Sequence, residues 1–215
     1  MKKKISFILR STEFAVILGL VILPLVSFSF LLSSPESPLY TSISRLAWVH
    51  GRWLSTFLWA VIVGGAVVWL SYRVIFIGPL RDRAKRIIFS FQLCSICLVF
   101  VGCLIFPAKA NEFRVGLLNY VHDYLTASAW CAYGVGWIVY SILIGRKNKA
   151  LGFMGCSFMA LALISSMFFL SQVIDPESYV GASAVSEVYI INSLLVYLAV
   201  MLVLEDTSIG RIRNE

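Results

Sequence analysis

Apolar residues along most of this chain neither alternate with polar ones nor recur at a helical period; they run on nearly unbroken. Six stretches, at about 14–32, 54–72, 87–106, 120–145, 150–174 and 183–204, are each close to the roughly 20 residues that carry a helix across a hydrocarbon core. In the fourth, uncharged sequence begins at Tyr124; in the sixth, Glu187 is the one interruption, and the run is clean from Val188. Only a helix or a closed barrel satisfies its main chain in lipid. The pattern therefore predicts an all-α, polytopic membrane protein: one six-transmembrane-helix bundle formed by a single domain over residues 1–215.

Composition agrees. The chain is 60% hydrophobic and 13% charged, and its mean hydropathy is +0.88. Soluble domains carry about a quarter of their residues as charges. The opening MKKKISFILR imitates a secretory signal, but the apolar run after it is longer than a signal core and no A-x-A pattern follows SFSFLLSS. A retained first span is the reading.

Of the eighteen Lys and Arg residues, only Arg45, Arg52, Lys109 and Arg114 fall on one side of the predicted membrane, which leaves fourteen on the other. The positive-inside rule then places both termini in the cytoplasm of a bacterial-type plasma (inner) membrane. The net charge of +7 is read as topology and as attraction to membrane lipids. No nucleic-acid partner is expected, because the basic residues are scattered over short loops.

Ser128, Ala132 and Gly136 in the fourth span, and Gly152, Cys156 and Ala160 in the fifth, place small side chains at four-residue spacing and predict close helix contacts. The short RKNK connection predicts that these two spans form an antiparallel hairpin. Pro24 should kink or loosen the first span. In the long loop SSPESPLYTSISRLAWVHGRW, Leu39, Ile43, Leu46 and Ala47 share a helical face, so a short amphipathic segment should lie at the outer interface and either cap the bundle or roof a pocket, with Trp48 and Trp53 at headgroup level. The C-x-x-C of Cys94 and Cys97 reads as two small packing residues.

Chemistry concentrates at the outer ends of the spans. His50 and His122, Asp123, Glu187 and Arg114 all fall there, and ionisable groups at the edge of lipid need partners. Ser186, Tyr189, Ser193 and Tyr197 add hydroxyls beside Glu187. The residues proposed for ligand binding are Arg114, His122, Asp123, Glu187, Tyr189 and His50. A hydrolase would use His122 with Asp123 or Glu187, although neighbours on a helix point about 100° apart and His122 and Asp123 need other helices to converge. No H-E-x-x-H or G-x-S-x-G motif is present. His50 and His122 could in principle ligate a haem, but no motif names a cofactor or a metal. A bracing role is the alternative, with Arg114 paired to Asp123 and Arg45 or Arg52 paired to Glu187.

SPLYTSISRLA after the first span, VGCLIFP closing the third and a histidine opening the fourth resemble the six-helix bacterial and archaeal membrane family catalogued as domain of unknown function 998. The resemblance implies the six-helix bundle and draws attention to Ser44, Phe106, Pro107 and His122. It implies no activity. The expected function is a binding or accessory protein with an outward polar pocket for a lipid, an amphipathic peptide or a membrane-protein partner, more a binder than an enzyme. A lipid- or peptide-acting hydrolase is the alternative and a small transporter the third reading.

Overall fold

The computed structural model describes residues 11–33, 43–48, 50–106, 117–174 and 184–214. Helix α1 spans Thr12–Leu32, α2 is the short Ile43–Trp48, α3 is Trp53–Ile77, α4 is Asp82–Ile105, α5 is Leu117–Gly145, α6 is Lys149–Ile174 and α7 is Ala184–Asn214. No strand occurs among the described residues. Among the described residues, five helices are long and apolar enough to cross a membrane: α1, α3, α4, the Tyr124–Gly145 part of α5 and the Glu187–Asp206 part of α7. The chain is thus an all-helical, multi-pass membrane bundle. In α6 the apolar stretch within the searched residues is the shorter Lys149–Ala162.

Helix ends follow from local sequence. Ser11 caps α1, its hydroxyl accepting from the Phe14 amide at 3.0 Å, with Glu13 in the first turn where the helix dipole favours an acid. Gly78 and Pro79 stop α3, and Asp82 opens α4. Asn148 caps α6 through the Leu151 amide at 3.2 Å. Gly51, at φ +65°, makes the turn from α2 to α3 in a backbone region that other residues rarely adopt.

The expected disturbance at Pro24 takes a defined form. Proline has no amide to offer the carbonyl four residues back, and the turn just before it, Leu18–Ile22, widens into a π-helix in which the Leu23 amide reaches the Leu18 carbonyl.

Helices α3 and α7 are central, each with half of its membrane-length window buried, whereas α4 has 28% and lies at the periphery. From α3 the core takes Trp59, Val63, Val67, Leu70 and Val74; from α7 it takes Leu194, Leu198, Met201 and Leu202. Tyr133, Trp137, Tyr140 and Ile144 of α5 fill the space between, at spacings of four, three and four. Apolar residues such as Leu25, Leu58, Ile62, Ile87 and Phe153 are exposed, as a lipid-facing surface requires.

The α5–α6 hairpin is present, but its seam is not quite the expected one. Gly152 faces Gly145 and the Ser141 carbonyl, Gly155 faces Ser141, and Cys156 approaches the Ile138 carbonyl. Gly136 packs against Gln92 of α4 instead, while Ser128 and Ala160 are exposed. Four-residue spacing drifts around a 3.6-residue helix, so one end of such a row leaves the contact. Cys94 and Cys97 are exposed on α4 and therefore are not packing residues between helices.

A Cβ at Gly152 would collide with Gly145 and sit 2.8 Å from the Ser141 carbonyl, whereas one at Gly65 meets nothing within 4 Å. Gly152→Ala should therefore destabilise the bundle by about 1–3 kcal/mol through overpacking. Gly65→Ala should be neutral or stabilising by up to ~1 kcal/mol through helix propensity. Reversible unfolding in mixed micelles measures both.

Candidate functional site

At the end of the bundle that carries α2, three ring N–H groups converge on the C-terminus of α4. The last carbonyls of a helix lack intrahelical partners. Here Trp48 Nε1 donates to the Cys103 carbonyl at 3.2 Å, Trp53 Nε1 to that of Leu104 at 3.0 Å, and His122 Nδ1 to that of Phe106 at 2.9 Å. Indole and imidazole rings suit the place because each brings one donor on an otherwise largely apolar body. His122 is buried. With Nδ1–H donating to a carbonyl, its orientation and tautomer are set by α4.

The same end is tied in two further ways. Glu187 Oε2 accepts from the Ile43 amide at 2.6 Å, so the carboxylate of α7 holds the first residue of α2. Arg52 donates from Nη1 to the Ser33 carbonyl at 2.6 Å and from Nη2 to its hydroxyl at 2.8 Å, and lies 5.6 Å above the Phe30 ring. It closes the C-terminus of α1, where a cation complements the helix dipole. Ile43, Ser44, Leu46 and Ala47 are buried, so α2 is an amphipathic roof.

The predicted site residues separate. His122 and Glu187 share one end but serve different elements, α4 and α2 respectively. Tyr189 is 65% exposed while Tyr197 is buried. Two residues on from Glu187 is the opposite side of a helix, and ten residues on is about 80° around, so Tyr189 and Tyr197 do not both sit beside Glu187. His50 is half-buried between α2 and α3, its amide bonded to the Arg45 carbonyl at 3.3 Å. Arg114, Leu39 and Pro107 lie outside the described residues, as do the side chains of Asp123 and Ser186, and the expected Arg114–Asp123 pair lies there too. Arg52 bonds to Ser33, where a pairing with Glu187 was one expectation. Among the described residues no group of three or more His, Cys, Asp or Glu is placed to hold a metal.

The opposite end contains a residue that hydropathy does not flag. Glu205 is buried, and its Oε1 lies 2.7 Å from Tyr140 Oη, which is also 2.9 Å from the Val74 carbonyl. Its signal is phase: Glu205 follows Leu194, Leu198 and Met201 at spacings of four, three and four, on the buried side of α7. Around it, Lys85 Nζ donates to the Phe76 carbonyl at 2.9 Å and Lys147 Nζ to that of Pro79 at 2.6 Å, so cations close the C-terminus of α3. Thr12 donates to Asp206 at 2.7 Å and Arg73 to the Ser11 carbonyl at 2.9 Å, which fastens the start of α1. Towards the middle, Ser71 and Tyr133 hydroxyls meet at 2.9 Å, and those of Ser141 and Tyr197 at 3.3 Å.

No protein-family model, no curated protein and no solved structure matches the chain.

His122→Leu removes the donor from the Phe106 carbonyl and should cost about 1–3 kcal/mol, the usual range for an acceptor left unpaired. His122→Asn places an amide nitrogen near the position of Nδ1 and should recover part of that loss. Thermal unfolding of both variants in lipid nanodiscs tests this order.

Proposed function

We propose that this is a non-catalytic binding or accessory protein of a bacterial-type plasma membrane, with α6 as a sixth span, both termini cytoplasmic and the α2 roof facing outward. The roof is its recognition surface, offered to a lipid headgroup, an amphipathic peptide or a membrane-protein partner. The observation that carries this reading is the 2.6 Å bond from the Ile43 amide to Glu187, made by residues 144 apart in sequence. It makes α2 a held lid over the bundle and gives the acid a structural task. Two further residues of this end are similarly engaged: His122 with a main-chain carbonyl and Arg52 with Ser33. A hydrolase needs a base, a nucleophile or activated water, and a group that stabilises developing charge, all converging on one point. The described residues supply the base type without that convergence. The resemblance of its short motifs to the domain of unknown function 998 family would imply the same six-span reading.

Two measurements test it. Glu187→Ala should raise deuterium uptake at the amides of Ile43–Trp48, and Glu187→Gln, which keeps an acceptor, should raise it less. A photoreactive amino acid in place of the partly exposed Trp48 should, in native membranes, crosslink to a lipid or to a membrane protein identified by mass spectrometry. If the roof captures neither, and the purified protein instead turns over phospholipid or peptide in a manner abolished by His122→Asn, the binding reading fails and the hydrolase stands.

A further inference from the structure

The acid at the far end of the bundle raises a question of hydrogen count. Tyr140 Oη is 2.9 Å from the Val74 carbonyl and 2.7 Å from Glu205 Oε1. A phenol has one hydrogen, a carbonyl only accepts, and an ionised carboxylate only accepts. If Glu205 were ionised, that single hydrogen could serve one neighbour, and the other would face Tyr140 oxygen to oxygen. The second carboxyl oxygen sharpens the point, because Glu205 Oε2 is buried and has no hydrogen-bond partner. On that side stands Gly78, where an added Cβ would lie 3.2 Å from Oε2 and would collide with Tyr140 Oη. A buried charge without a donor on one of its oxygens is strongly disfavoured. A neutral acid removes the first conflict and lessens the second, because Oε2 is then an uncharged acceptor.

We propose that Glu205 is a proton-binding site: a carboxylic acid held neutral within the bundle, donating its hydrogen to Tyr140 Oη, which donates in turn to the Val74 carbonyl. The relay links α7 through α5 to the last turn of α3, where Val74 already accepts from the Gly78 amide at 3.0 Å. The ionisable groups that interact with Glu205 are Tyr140 of α5 and Lys85 of α4, with Tyr197 on its own helix. Cys156 of α6 interacts with Tyr197, and Arg73 of α3 and Glu13 of α1 belong to the neighbouring Asp206 cluster. Among the described residues, Lys85 is the cation that interacts with Glu205, and in this state its ammonium is bonded to the Phe76 carbonyl at 2.9 Å. Loss of the proton leaves a carboxylate that takes the Tyr140 hydrogen away from Val74 and draws Lys85 from Phe76. One proton thereby changes the closure of the α3 C-terminus from two sides. The site is separate from the α2 roof and stands whether or not that roof binds a partner.

Infrared spectroscopy of the lipid-reconstituted protein at neutral pH tests the proposal. The expected result is a carbonyl band of an undissociated carboxylic acid that is missing in Glu205→Gln and moves to higher wavenumber in Tyr140→Phe, where the phenol no longer accepts. Glu205→Gln should also keep the wild-type unfolding midpoint, since its amide N–H₂ donates to Tyr140 as the acid does, while Glu205→Ala should lower it. The proposal is overturned if Glu205→Gln removes only carboxylate absorbance. It is equally overturned if that variant fails to fold, because a neutral donor of the same shape would then be a poor substitute for the native group.

Discussion

A helix that ends at the edge of a membrane leaves carbonyls or amides that neither its own turns nor lipid can satisfy. Much of the polar structure here answers that constraint. Trp48, Trp53 and His122 close α4, Arg52 closes α1, and Lys85, Lys147 and Tyr140 close α3. Glu187 holds the first amide of α2. In each case the partner comes from another element or from a flanking turn, so end-closure and helix-to-helix attachment are the same set of bonds. Apolar side chains gain little from leaving lipid for protein, and these bonds with close packing carry much of what fixes the arrangement.

Between the two ends the core is aromatic and hydroxylic. Trp137 lies with its ring centroid 5.3 Å from Tyr140 and 5.6 Å from Tyr197, both edge-on. Such contacts fill volume with rigid groups and keep the hydroxyls paired one to one, Ser71 with Tyr133 and Ser141 with Tyr197. The result joins α3, α5 and α7 at the depth where lipid offers no competing hydrogen bonds.

Hydropathy made the membrane helices legible, and the loop pattern made α2 legible, because both depend on residue type averaged over a window. Which side of each helix faces protein was not legible in the same way. When nearly every position is apolar, the phase is carried by a few small or polar residues, and their spacing alone does not say which neighbour they meet. Tyr189, two residues after Glu187, lies across the helix from it, and Glu205, one residue beyond the last predicted span, continues the buried phase of Leu194, Leu198 and Met201. His122 was legible as a residue needing a partner. That the partner is the end of α4 depends on a tertiary contact no spacing encodes.

The widened turn in α1 determines how that helix meets the others. Its buried positions are Ala15, Gly19, Leu23, Ser27 and Phe30 with Leu31, a row spaced almost uniformly by four. In a regular α-helix a step of four overshoots a full turn by about 40°, and Ala15 and Leu31 would end up about 160° apart. The π turn at Leu18–Ile22 takes more residues per revolution and holds back part of that drift. Gly19, inside it, comes close to α7, where a Cβ would stand 3.3 Å from the Leu195 carbonyl. A proline more often regarded as a break thus acts as a phase correction, letting one face of an almost featureless apolar helix stay turned towards its neighbours along its length.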